Sequence, residues 1–222
     1  MRAIIFLLSY MTTSFAEKQD LSGKMFTFPV ESDTAHVILI PNLSKSLTAV
    51  TVCLRFFSDL TRSKSLFSVA TPTSDNAFLL FNENGYHVFQ KTAAKFDGLE
   101  DKQNEWNSVC ATWDSQTGIA QIWVNGKQSV RKGISRGGSI SGAPSIILGQ
   151  EQDNYGGKFD RAQSFVGMLT DINMWDSVLP YPEIALYMSN IPQKTDGNVI
   201  SWRSLDFTAN GYVIVENLVS LI

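Results

Sequence analysis

The sequence predicts an all-β domain, a sandwich or a barrel, with one short helix near its C-terminal end. Three observations point there. Short runs rich in β-branched and aromatic residues recur from end to end. Gly, Pro, Asn, Asp or Ser separates each run from the next. A single stretch carries the start signal of a helix. Many short strands with no helix between them exclude an α/β architecture.

In chain order, the strand runs are AHVILI (35–40), AVTVCLRFF (49–57), FLLF (78–81), YHVF (86–89), SVCATW (108–113), AQIWV (120–124), SIIL (145–148) and DINMW (171–175). Asn125-Gly126, between QIWV and KQSV, predicts a hairpin, because a type I′ turn needs positive φ at both central residues. Asn84-Gly85, between FLLF and YHVF, predicts another. In PYPEIALYMSN (180–190), Pro182 and Glu183 suit a first helical turn, and Ile184, Leu186 and Tyr187 are expected to dock on the sheet. No internal repeat, low-complexity tract or linker interrupts residues 17–222, which predicts one domain.

Residues 1–16, MRAIIFLLSYMTTSFA, have the layout of a cleaved secretory signal: Arg2, an apolar run from Ala3 to Leu8, then small residues at Ser14 and Ala16. The mature chain is expected to start near Glu17 and to be secreted and extracellular, with no later run long enough to span a membrane. The formal net charge of the whole chain is −3, and losing Arg2 makes it one unit more negative. A mildly acidic chain argues against nucleic acid as a main partner. Cys53 and Cys110 are the two cysteines, and in an oxidising compartment one disulfide is the simplest reading. Asn42-Leu43-Ser44 is a glycosylation sequon, which predicts a surface loop.

The stretch ILGQEQDNYGGKFD (147–160) carries the chemistry. Glu151, Asp153 and Asp160 offer carboxylates, Gln150 and Gln152 offer amides, and no His or Cys lies close by. An oxygen-only inventory suits a hard cation such as calcium, whereas zinc wants nitrogen or sulfur. A solvated acidic turn is the plainer alternative.

Two stretches partly match enzyme motifs. GISRG (133–137) matches G-x-S-x-G, but turn and strand material follows it, and His36 and His87 both lie upstream. Neither histidine has a second at ligand spacing, and both read as strand or surface residues. A β-sandwich glycosidase would use Glu151 and Asp153 as alternate residues on one strand face, but the third acid of an E-x-D-x-x-E set falls on Gly156.

SVCATWDS (108–115) resembles the pentraxin signature His-x-Cys-x-Ser/Thr-Trp-x-Ser, with Cys110, Thr112, Trp113 and Ser115 matching and Ser108 in place of the histidine. FTFPVESDTAHV (26–37) is similar to that family's first strand and AVTVCLRF (49–56) to its first cysteine strand. SIILGQEQDNYGG (145–157) is similar to its metal loop, and VGMLTDINMWDSVL (166–179) to the strand before its helix. The resemblance is to the short pentraxins and covers nearly all of residues 17–222.

The resemblance implies a flattened two-sheet jelly-roll sandwich of the legume-lectin type, assembled as a cyclic homopentamer, with two calcium ions per subunit on one face. The implied ligands are Asp75, Asn76, Glu151, the main-chain carbonyl of Gln152, Asp153, Asp160 and Gln163. Asp160 stands where relatives usually carry the longer glutamate. Gly156 and Gly157 would turn the chain so that Asp160 and Gln163 reach the same ions. Phe81 matches an aromatic that packs on the ligand's methylene and choline groups. The glutamate that faces choline in choline-binding relatives falls, by counting back from Cys110, on Ala94, with Asp97 as a possible substitute. The implied role is calcium-dependent pattern recognition in innate immunity, binding phosphorylated or anionic groups such as phosphocholine or phosphoethanolamine. Complement components and phagocyte receptors are partners implied by family alone. A calcium-dependent carbohydrate lectin is the alternative.

Overall fold

The computed structural model describes residues 18–189 and 196–218. The signal-peptide reading of residues 1–16 falls outside them. Fifteen strands make two antiparallel sheets. In chain order they are β1 (Lys24–Phe28), β2 (His36–Ile40), β3 (Ala49–Phe57), β4 (Lys64–Thr71), β5 (Ser74–Asn82), β6 (Tyr86–Gln90), β7 (Thr92–Phe96) and β8 (Trp106–Asp114). There follow β9 (Ile119–Val124), β10 (Lys127–Gln128), β11 (Lys132–Gly133), β12 (Ser145–Leu148), β13 (Gly167–Trp175), β14 (Asp206–Asn210) and β15 (Ile214–Asn217). Sheet one runs β10-β9-β8-β3-β13-β1-β15, with β11 also pairing to β9; sheet two runs β14-β2-β12-β4-β5-β6-β7.

Period-two alternation builds the core. In β3 the residues Val50, Val52, Leu54 and Phe56 point between the sheets, and in β8 Val109, Ala111 and Trp113 do the same. They meet Val37 and Leu39 of β2, Phe67 and Val69 of β4, Phe78 and Leu80 of β5, and Ile146 and Leu148 of β12. Sequence gaps between strands close in the expected way at Asn125-Gly126, whose φ values of 50° and 81° give a two-residue turn with Val124 opposite Lys127. The other hairpin loop has three residues, Glu83 to Gly85, because Asn82 pairs with Tyr86.

Outward residues of sheet one build a second, smaller cluster. Cys53 and Cys110 stand opposite each other in β3 and β8 and are joined by a disulfide. Trp123, Trp175 and Leu179 surround it, and helix α1 (Tyr181–Met188) covers it with Ile184 and Tyr187. Leu186, expected to dock, is 46% exposed: it lies on the far side of the helix from the buried pair. Asn42 is exposed, as its sequon requires.

Candidate functional site

The site is built on the opposite outer face, that of sheet two. β12 ends at Leu148, and Gly149 turns the chain at φ +85° in a place where a Cβ would stand 2.3 Å from Phe28 Cε1. The following loop lies back over the sheet and is pinned by its own amides and by β4. Ser65 Oγ donates to the Gln150 carbonyl at 2.9 Å, and Gln150 Nε2 donates to the carbonyls of Ser32 and Ala35. Gln152 Nε2 donates to Ser68 and Ser145, while its Oε1 accepts from the Gly156 amide. Both glutamine side chains are therefore structural. Of their two amide oxygens, Gln150 Oε1 is left without a partner. Gly156, at φ +77°, sits in a tight turn closed by paired main-chain bonds between Asn154 and Gly157.

That turn returns the chain to Asp160, which caps a single 3-10 turn (Arg161–Gln163) by accepting the Ala162 amide at 2.9 Å. Arg62 fixes the loop's far end, donating to the carbonyls of Ala162 and Ser164 while pairing with Glu31. Asp75 and Asn76 arrive from the start of β5, and Asp75 Oδ1 accepts the Asn76 amide.

The loop thus gathers Glu151, Asp153 and Asp160 with Asp75 and Asn76 into one electrostatic neighbourhood, and Gln163 closes the 3-10 turn that Asp160 caps. Glu151 is buried, and its pKa is pushed up to about 7. Desolvation is the first cause and the Asp153 carboxylate the second; the Asn76 side-chain hydrogen bond opposes them, and Asp75 and Asp160 add further repulsion. Three buried oxygens, Asn76 Oδ1, Glu151 Oε2 and Gln163 Oε1, have no hydrogen-bond partner. Buried orphans occur elsewhere too, on Tyr86, Gln90, Gln150, Trp123 and Trp202. What sets Asn76 Oδ1 and Glu151 Oε2 apart is their place among the mutually repelling carboxylates of Asp75, Asp153 and Asp160. Among the described residues no three Asp, Glu, His or Cys side chains converge closely enough to hold an ion by themselves. A cation here must also draw on the amide and main-chain oxygens.

The strand-face premise of the glycosidase reading is corrected: residues 151–153 lie in a loop beyond the strand, though Glu151 and Asp153 do sit close enough to repel. Ser135 has no strand-to-helix elbow around it and accepts the Trp113 indole N–H on its carbonyl. His36 and His87 bond to the carbonyls of Thr34 and Glu83.

Phe81 is 5% exposed and lies outside the sandwich core, whose β5 members are Ala77, Phe78 and Leu80. It belongs to the outer face, beside Ser65 and hence beside the loop. Ala94 does not. Its side chain packs in the core with Val88. The outward residues of β7 are Ala93 and Lys95, opposite Phe89 and His87 of β6. Asp97 forms an ion pair with Lys95. His87 and Phe89 lie in the YHVF run, but their shared outer face with Lys95 is visible only from the strand register. Pairing outward from a three-residue Glu83–Gly85 loop places His87 opposite Phe81 and Phe89 opposite Leu79.

Fold and site together define a two-sheet sandwich with a loop of oxygen donors laid across one outer face. The sequence pattern of the Pentaxin family matches residues 24–217, and the chain belongs to that family. It is 43% identical over 213 residues to serum amyloid P-component of Mesocricetus auratus, covering 95% of this chain and 89% of the relative. It is likewise 43% identical to human serum amyloid P-component, covering 97% and 96%. To mucosal pentraxin of Mus musculus it is 42% identical, covering 96% and 94%. Among solved structures, the native heptameric SAP-like pentraxin of Limulus polyphemus superposes with a TM-score of 0.78 at 26% identity, covering 91% of this chain and 99% of that one.

Proposed function

We propose that this chain is a secreted, non-enzymatic, calcium-dependent recognition protein of innate immunity that binds phosphorylated or other anionic groups on microbes and damaged cells. The observation that carries the reading is the trio of orphaned oxygens on Asn76, Glu151 and Gln163 beside the carboxylates of Asp75, Asp153 and Asp160. Such a set is costly as it stands and suits a hard, multiply charged cation. Asp75, Asn76, Glu151, the Gln152 carbonyl, Asp153, Asp160 and Gln163 would hold two calcium ions. Four carboxylates against two divalent ions make the loaded loop close to neutral. Calcium supplies open coordination positions that an anionic oxygen can fill. This chain's own part is to bury Glu151, hold the loop from below through Ser65 and Ser68, and offer Phe81 as an apolar wall beside the anion. Recognition of this kind needs neither nucleophile nor proton shuttle.

The chain is taken to work as a cyclic homo-oligomer, a pentamer by family, with complement and phagocyte receptors as partners by the same analogy. No helix among the described residues is long and apolar enough to cross a membrane. The test is retention of the protein on immobilised phosphomonoesters and on neutral sugars, with calcium and with chelator. Retention on phosphomonoesters only in calcium supports the reading. Equal retention in chelator overturns it, and preference for neutral sugars favours the lectin alternative.

A further inference from the structure

β2 ends at Ile40, and residues 41–46 leave the sheet without regular structure. The segment is nevertheless pinned. The Asn42 amide donates to the Val199 carbonyl at 2.9 Å, Leu43 packs against the core, and Lys45 pairs with Asp176 at 2.8 Å. Asn42 and Ser44 are exposed, and neither side chain bonds to another described residue. The sequon therefore holds its acceptor amide and the hydroxyl two residues on open to solvent, on an irregular backbone, as N-linked transfer requires.

Beside Asn42 lies a groove of about 230 Å³. Ile40, 48% exposed, gives it an apolar wall. Ser201 and Ser204 give it hydroxyls that no other described residue engages. A pyranose bearing an acetamide offers the matching surfaces: C–H groups and a methyl for Ile40, hydroxyls and an amide for the two serines.

The groove also marks a sheet edge. β14 is the outermost strand of sheet two, and Asp206 at its start pairs with Ile40. An uncovered edge presents unpaired main-chain groups to other chains. The opposite end of this strand pair lies at the oxygen-lined loop, where Asn210 stands opposite His36 and the Ala35 carbonyl accepts from Gln150. At strand spacing, Asn42 lies up to about 20 Å from His36 along the chain. A sugar on Asn42 thus covers the start of β14 and leaves the loop and Phe81 open. Tyr212, just past Asn210, stays clear of it as well.

We propose that Asn42 carries an N-linked glycan whose first N-acetylglucosamine lies in this groove, over Ile40 and within reach of Ser201 and Ser204. The co-reactant is a lipid diphosphate oligosaccharide. The Asn42 side-chain nitrogen bonds to C1 of its first sugar, the C1–O bond breaks, the diphosphate departs with that electron pair, and the nitrogen gives up one proton. The glycan shields the free edge of sheet two at the end remote from the ligand. This rests on the reading of the chain as secreted, because the transfer belongs to the secretory pathway, and adds a covalent modification to it.

The test uses the full chain, expressed with its own leader in animal cells restricted to high-mannose glycans and collected from the medium. Peptide mass mapping should find hexose and N-acetylhexosamine on the Asn42 peptide, and Ser44→Ala, which keeps Asn42 itself, should lose them. An endoglycosidase that cuts between the first two sugars leaves one N-acetylglucosamine in place. That one-sugar form should melt about 2 °C above Ser44→Ala, with Asn42→Gln as a second sugar-free baseline. The difference should vanish when both forms also carry Ile40→Ala. An unmodified Asn42 peptide in the secreted protein overturns the glycan. A modified peptide with equal melting of the one-sugar and sugar-free forms overturns its seat in the groove. Protein retained in the cells with no sugar attached overturns the secreted reading itself, and the glycan with it.

Discussion

Glu151 concentrates the physical tension of the molecule. A carboxyl raised from its ordinary 4.5 to about 7 binds its proton more tightly in the folded than in the unfolded chain. Between those two pH values the folded state therefore carries more protons, and stability falls as pH rises. In chelator, the protein should lose on the order of 3 kcal/mol from this group on going from pH 4.5 to pH 8. Thermal melts should show a transition temperature that declines across that window, and Glu151→Gln should flatten the decline and be the more stable form at pH 8. Calcium should erase the dependence in the wild type, because a bound cation favours the ionised carboxylate. An unchanged slope in Glu151→Gln in chelator would show that another group is responsible. The same residue, with Asp153, is expected to serve both ions. Asp153→Ala and Glu151→Ala should each abolish calcium uptake measured by titration calorimetry, with the fold and disulfide intact by circular dichroism and mass.

At the level of elements, the loop is a strap fixed at both ends. Gly149 and Phe28 lock one end, and Arg62 clamps the other through two carbonyls and Glu31. Arg62→Ala leaves those carbonyls without their charged donor, a loss of about 1.5 to 3 kcal/mol for such bonds, part of which solvent restores. The expected result is calcium affinity lowered about tenfold with only a small change in melting temperature, since Arg62 stands outside the core. A large loss of stability with unaltered affinity would mean that the strap and the site are independent. The disulfide is a different kind of tie. It closes 57 residues of sequence separation and stands to contribute about 4 kcal/mol by restricting the unfolded chain. Non-reducing mass should show no free thiol and no disulfide-linked dimer, and Cys53→Ala with Cys110→Ala should fold but melt at lower temperature.

Legibility followed the physics of each element. Strands such as β3 and β8, which alternate large apolar residues with others, announce themselves. β4, with Lys64, Ser65 and Ser68 in a fully buried run, does not, because Ser65 and Ser68 are satisfied by a loop the sequence places far away and Lys64 by Asp101 and the Leu60 carbonyl. β14 and β15 are half-exposed edges with little apolar content to read. The loop's residue types gave its oxygen chemistry, and family likeness added Asp75, Asn76 and Gln163, which local pattern alone does not connect to it. Ala94 lies in a strand whose face is not legible from its own residues, because TAAKF carries little apolar alternation and its burial is settled only by pairing with β6.

For the whole molecule, the decisive surfaces are the two edges of the sandwich. One is formed by β7 over β10 and β11, bound together by Lys127 donating to the Gly98 carbonyl, and it exposes Val130 at 69%. The other is formed by β14 and β15, with Phe207 of β14 packed on Phe26 of the neighbouring β1, and it exposes Tyr212 and Val215 at 58% and 41%. Lys127, Arg131 and Lys132 make the first edge basic, whereas Asp206 and Glu216 give the second its acids. Unlike edges that complement each other suit a head-to-tail contact, which makes a ring where the rotation between subunits closes and a filament where it does not; two like edges would give only a dimer. If subunits join in this way, Val130→Glu on the first edge and Val215→Lys on the second should each yield monomers by native mass spectrometry. Each variant keeps one sound edge of opposite kind, so mixing them in equal amounts should produce a dimer and nothing larger. A dimer formed by either variant alone would mean that like edges meet, and a full ring surviving in both would place the contact elsewhere on the sandwich.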